Sequence, residues 1–190
     1  MLLTGLCVCA IYKITNRSLL KPYKQKLTQM PTISLPNIPY PIRATTYAYD
    51  YDSFMDIDKQ KEVFLFHGSK HNNVEGIVKT GLLIKKAGPG LYGRAIYLAD
   101  SCQKADQYSD TPNYRIYEDT YVLSMLLVRT TLGANCKARE WHKTKCHSKI
   151  GGKAITNRMK FYEFMFQDSK QLYVEYIVRY TRIYNIYEKD

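Results

Sequence analysis

The chain has 190 residues and a mass of 22.2 kDa, enough for one domain with a short extension and a substantial core. Its formal charge of +11 and pI near 9.3 favour acidic partners such as nucleic acid, phosphorylated ligands or anionic membrane. The five cysteines (Cys7, Cys9, Cys102, Cys136, Cys146) are odd in number and lack a framework spacing, which argues against a disulfide-stapled secreted domain and for a reducing, intracellular compartment, cytoplasmic or nuclear.

Residues 2–12 form an apolar run, too short to span a bilayer and without the basic flank of a signal segment, so no stable membrane span is expected. They read as a packed or disordered extension. Residues 13–43 are basic and punctuated by Pro22, Pro31, Pro36, Pro39 and Pro41, which reads as a linker or wrapping arm. Residues 1–58 are therefore expected to be a partly irregular, basic, proline-rich extension, and residues 59–190 the functional domain.

Val63-Phe64-Leu65-Phe66 reads as a short buried strand that ends on His67-Gly68-Ser69. A strand end is rigid, and Gly68, lacking Cβ, lets a ligand reach its backbone N–H and C=O. Residues 71–80 place Val74, Ile77 and Val78 on one helical face, with Gly81 as the stop. A Gly-rich loop over 85–93 leads to a second short strand at 95–99. Asp100 or Ser101 then caps a helix reaching about Tyr108. Residues 120–132 are expected to form the longest strand. Residues 133–158 lack periodicity and read as a long functional loop. Two strands, about 160–167 and 172–181, close the chain. Short strands dominate, with two helices between them, so the class is α+β with mostly antiparallel pairing.

Gly88-Pro89-Gly90-Leu91-Tyr92-Gly93 matches a dinucleotide fingerprint in letters only. That motif needs a helix opening on the glycines, whereas here they lead into Ala-Ile-Tyr-Leu-Ala, and Pro89 removes a donor. Cys136, His142, Cys146 and His147 have an unfamiliar zinc spacing with two adjacent ligands, so no metal is expected. The chain has no nucleophile elbow, phosphate-binding loop or H-E-x-x-H. Residues 136–160 carry eight Lys/Arg against Glu140, so an acidic partner there, nucleic acid or poly-ADP-ribose, is expected. Base stacking is poorly supported, with Trp141 the one interleaved aromatic.

The order of several modest motifs is more informative. Phe64-Leu65-Phe66-His67-Gly68-Ser69 is followed by Thr80-Gly81-Leu82, by Tyr92-Gly93-Arg94-Ala95-Ile96-Tyr97-Leu98-Ala99-Asp100, and by Lys104-Ala105-Asp106-Gln107-Tyr108. Val128-Arg129-Thr130-Thr131-Leu132-Gly133, His147-Ser148-Lys149-Ile150-Gly151 and Phe161-Tyr162-Glu163-Phe164-Met165-Phe166 come later. Over about residues 60–182 this series resembles the catalytic domain of the poly(ADP-ribose) polymerases, diphtheria-toxin-like ADP-ribosyltransferases, with tankyrases among the relatives. The resemblance implies an ADP-ribosyltransferase fold, two packed antiparallel sheets in a split barrel with an NAD cleft between them. It implies an enzyme that cleaves the nicotinamide–ribose bond of NAD+, its substrate, and passes ADP-ribose to a protein acceptor.

Carried over by position, His67 would bond the adenosine ribose and Gly68 would clasp the nicotinamide carboxamide through its backbone. Tyr108 would stack on the nicotinamide and Tyr97 would pack on its other side, with Ser69 and Lys104 completing the binding set. The catalytic set would be Glu163, His67 and Tyr97. Glu175, in Tyr-Val-Glu-Tyr-Ile-Val, is a second candidate carboxylate. In the family the catalytic glutamate opens one strand and another strand begins about a dozen residues later, which selects Glu163 and leaves Glu175 to pair with a basic neighbour. Two departures stand out: Ala105 where the family has Ser, removing a hydroxyl expected to bond the carboxamide, and Ala95 where it has Gly. Serine at 105 is thus expected to tighten NAD binding. Ala105 also keeps open an inactive NAD- or ADP-ribose-binding module, and the basic segment a nucleic-acid-binding protein.

Overall fold

The computed structural model describes residues 2–31, 62–109, 121–137, 146–152 and 161–185. Its strands in chain order are β1 (Leu2–Lys13), β2 (Glu62–Gly68), β3 (Pro89–Gly90), β4 (Gly93–Arg94), β5 (Ile96–Ala99), β6 (Leu123–Thr131), β7 (Asn135–Lys137), β8 (Ser148–Gly152), β9 (Tyr162–Phe166) and β10 (Leu172–Asn185). The helices are α1 (Arg17–Gln29), α2 (His71–Thr80) and α3 (Cys102–Asp106). Among the described residues there are two sheets: eight strands in the order β1-β10-β6-β2-β5-β9-β8-β7, and the small β3–β4 hairpin. Every neighbouring pair is antiparallel except β7–β8. This is an α+β fold.

The core follows from residue type. Leu65 of β2, Leu98 of β5, Leu126 and Val128 of β6 and Phe164 and Phe166 of β9 are at most 2% exposed and form one apolar cluster. α2 lays Val74, Ile77 and Val78 on that cluster, the stripe its spacing predicts. It stops at Gly81, whose φ of 77° lies in the left-handed region that glycine adopts without a Cβ clash. At the sheet centre His67 stands one residue from the end of β2, beside β5, which in turn pairs with β9.

The first thirty residues differ from the linker reading. β1 pairs along β10 over ten register positions, and α1 docks through Tyr23, which is 1% exposed and donates to Glu62 at 2.5 Å. Asn16 joins two helix ends: its Oδ1 accepts from Leu19 N–H at 3.3 Å, and its Nδ2 donates to the Val78 carbonyl at 2.9 Å. Lys26 pairs with Asp168 at 2.9 Å. Pro22 lies inside α1, where it removes one helical hydrogen bond, and the tertiary anchors outweigh that propensity. Pro36, Pro39 and Pro41 lie outside the described residues.

Other expectations are also corrected. The segment read as a loop over 133–158 contributes β7, at the sheet edge, and β8 beside it, strands whose short length hid any alternation. His142 and much of the basic run lie outside the described residues. β10, with 14 residues, exceeds β6, which has nine, because β1 and β6 pair its two sides. α3 ends at Asp106 rather than near Tyr108, and its cap is Ser101, whose side chain accepts from Lys104 N–H. Cys136, in β7, and Cys146, two residues before β8, form a disulfide that the cysteine spacing did not suggest, their Cα atoms standing 6.1 Å apart. Among the described residues no helix is long and apolar enough to cross a membrane.

Candidate functional site

A cleft of about 460 Å³ opens where β2, β5 and β9 meet α3 and the glycine-rich hairpin. His67, Gly68, Tyr97, Lys104, Tyr108 and Glu163 line it together, although they come from distant parts of the sequence. Sheet register does this: Ala99 of β5 stands opposite both Phe66 of β2 and Glu163 of β9. Ser69 lies just outside, in an adjoining cavity of about 440 Å³ that shares His67 and Lys86 and is also lined by Asn72 and Asn73. The concavity therefore runs past both sides of His67.

The His67 ring has a defined tautomer. Its Nδ1 is 2.9 Å from the Tyr97 carbonyl, which can only accept, so Nδ1 carries the proton and Nε2 presents a lone pair. Burial lowers the His67 pKa, the carbonyl bond acting against it, and this keeps the ring neutral at physiological pH. Such a nitrogen accepts a hydroxyl proton.

Glu163 and Lys104 face each other, Nζ to Oε1 at 3.4 Å, with side chains only 13% and 10% exposed. The same ammonium donates to the Tyr108 hydroxyl at 3.1 Å and to Gln107 Oε1 at 3.3 Å, and it lies 5.2 Å from the centre of the Phe161 ring. Burial pulls the Lys104 pKa down, but Tyr108 and Glu163 outweigh it and hold the pKa above the ordinary lysine value. The site thus keeps a carboxylate beside a cation and next to an exposed aromatic face, Tyr108 being 55% exposed.

Tyr97 acts as a strut for the hairpin. Its Oη accepts from Tyr92 N–H at 2.9 Å and donates to the Gly93 carbonyl at 2.8 Å. A Cβ on Gly90 would stand 2.5 Å from the Tyr97 ring, so only glycine permits the loop to lie there. The same holds for Gly68, whose Cβ would lie 1.7 Å from the Ala105 carbonyl oxygen. The close approach at Gly68 is thus made first by α3. The glycine-rich stretch opens no helix, in keeping with the rejection of a dinucleotide fingerprint.

Glu175 stands elsewhere. It is 6% exposed in β10, accepts from Arg129 Nε at 2.5 Å, and approaches Lys13 at 4.0 Å. Glu62 approaches the same guanidinium at 3.8 Å, and Tyr23 bonds Glu62. These groups tie α1, β2, β6 and β10 together. Ala105 turns its methyl into an apolar cluster with Phe66, Leu123, Met125 and Tyr180 and does not line the cleft. Phe161, quoted in the sequence only as part of an aromatic motif, was not expected in the site, because nothing in that run signals that its ring will flank a lysine. His147 Nδ1 accepts from Ala134 N–H at 3.1 Å, and Cys136 and Cys146 are committed to each other, so these zinc candidates have other partners.

The family model described as Poly(ADP-ribose) polymerase catalytic domain matches residues 5–178. A Caenorhabditis elegans protein named Poly [ADP-ribose] polymerase tankyrase is 40% identical over 62 residues, which cover 30% of this chain and 3% of that relative.

Proposed function

The chain belongs to the poly(ADP-ribose) polymerase catalytic domain family, and on that premise we propose that it is an NAD+ ADP-ribosyltransferase that modifies a protein acceptor. The observation that carries the reading is the convergence of Glu163, Lys104, Tyr108, Tyr97 and His67 on one cleft. His67 Nε2 accepts a hydroxyl of the adenosine ribose. The Gly68 backbone clasps the carboxamide, and the Tyr108 and Tyr97 rings flank the flat nicotinamide. Ser69, in the adjoining cavity, belongs to the adenosine end.

In the reaction the bond between ribose C1′ and the nicotinamide nitrogen breaks, and its electron pair neutralises the ring. Positive charge builds on the ribose, and the Glu163 carboxylate opposes it while accepting the 2′-hydroxyl. The acceptor oxygen then bonds C1′ and gives up its proton, for which Glu163 is the nearby base. Lys104 holds that carboxylate in place. None of this calls on a metal.

Incubating the purified chain with adenine-labelled NAD+ tests the proposal. Label should appear on protein with release of nicotinamide, and His67→Ala should remove most of both. NAD+ binding with no nicotinamide release would favour the non-catalytic module that Ala105 raises. Unchanged turnover in His67→Ala would refute the assignment of the site.

A further inference from the structure

We infer that Asp106, which lies outside the cleft, is a positioning residue that sets how far α3 stands from β2, and thereby fixes Tyr108 and Lys104 against the nicotinamide end; the inference rests on the reading above. α3 has five residues, too few to hold a helical shape without outside support. It nevertheless carries Lys104 and, one turn on, Tyr108. Its last residue is gripped from behind by β10. Asp106 is 3% exposed; its Oδ1 accepts from the Tyr180 hydroxyl at 2.6 Å, and Arg182 Nε lies 3.0 and 2.9 Å from its two carboxylate oxygens. Arg182 Nη2 also donates to the Asp106 main-chain carbonyl at 3.1 Å. One arginine therefore holds both the side chain and the backbone of the helix end.

The opposite limit is set at Gly68. The Ala105 carbonyl lies where a Cβ of residue 68 would be, so α3 cannot move closer to β2. That carbonyl accepts from Tyr108 N–H at 3.0 Å, and the Asp106 carbonyl accepts from Ser109 N–H at 3.0 Å. The turn bearing Tyr108 thus hangs from the two residues that are fixed, one by contact and the other by charge. Because Ala105 offers the cleft no hydroxyl, hold on the nicotinamide depends on the spacing of Tyr108 and the Gly68 backbone.

The test compares the full chain with Asp106→Asn, Arg182→Lys and the doubly neutral Asp106→Asn/Arg182→Gln, which leaves no charge buried alone should a single variant fail to fold. Calorimetry measures binding of nicotinamide and of ADP-ribose separately, and steady-state turnover gives KM for NAD+, all below the unfolding temperature of each variant. Nicotinamide affinity should fall about tenfold, with KM rising in step, because a small displacement of a contact surface is felt at the ring. ADP-ribose affinity should stay within about twofold, since it lacks the nicotinamide group that Tyr108 and Lys104 flank. Equal losses for both ligands, or a lowered Tm with nicotinamide affinity intact, would reduce Asp106 to an ordinary structural ion pair and overturn the inference. A wild-type chain that binds neither nicotinamide nor NAD+ would instead bring down the functional reading itself.

Discussion

Glu163→Gln is the sharpest perturbation available. Glutamine keeps the shape and one carbonyl oxygen but removes the negative charge 3.4 Å from Lys104 Nζ. Two effects follow. The ribose cation loses the carboxylate that opposes it, and the ammonium, 10% exposed, loses its counter-charge while keeping Tyr108, Gln107 and the faces of Tyr108 and Phe161 as partners. Removing one such preorganised group costs about 3–4 kcal/mol at the transition state, and at about 1.4 kcal/mol per decade kcat should fall roughly 100- to 1,000-fold. Binding differs, because the ground-state nicotinamide is itself cationic and Lys104 is no longer neutralised. NAD+ affinity should therefore fall about threefold to tenfold, far less than kcat. The assay is nicotinamide release with NAD+ titrated by calorimetry on the same samples. Turnover within about tenfold of wild type, or equal losses in affinity and kcat, would refute the reasoning.

Glu175→Gln should do the converse, because it breaks the Arg129 contact in the α1–β10 network: thermal unfolding should show a loss of about 2 kcal/mol with kcat preserved, and a stable but inactive variant would reverse the assignment of the two glutamates. Ala105→Ser should not tighten NAD+ binding, contrary to what the motif alone suggests, since a hydroxyl there enters the apolar cluster with Phe66 and Met125; a stability loss of about 1 kcal/mol is expected, and calorimetry showing tighter binding would place the side chain in the cleft after all. Asp100 gives a pH signature: burial raises its carboxyl to about 6, against the Tyr162 amide that donates to it, so the fold favours the protonated acid and this contribution is lost as pH rises from the ordinary value near 3.8 to about 6. Asp100→Asn, which can still accept from Tyr162, should be more stable than wild type by about 1–2 kcal/mol at pH 7.5 with the difference vanishing below about pH 4; urea titrations at the two pH values decide it, and a less stable variant at pH 7.5 would count against the argument.

Much of the site was legible in the sequence because its parts are local. A short apolar run ending in His-Gly-Ser makes a buried strand with a rigid end whatever surrounds it, and Val74, Ile77 and Val78 share a helical face by spacing alone. The strand spacing implied by the family resemblance selected Glu163 over Glu175 as the candidate carboxylate, and the geometry places the two differently: Glu163 lines the cleft and Glu175 pairs with Arg129. The first thirty residues were not legible, since a strand whose one charge is the terminal Lys13, with Val8, Ile11 and Tyr12 exposed, has a reason to exist only when β10 lies beside it. Pro22 argued locally against the helix that Tyr23, Glu62 and Tyr173 hold in place. The meaning of residue 105 was also tertiary: its type suggested a missing hydroxyl, whereas the direction of its Cβ puts it in the apolar layer between α3 and β6. Local chemistry decides which segments are strands, helices and polar ends. Only sheet register and helix docking, which join residues dozens of positions apart, decide that His67, Tyr97, Lys104, Tyr108 and Glu163 face one another.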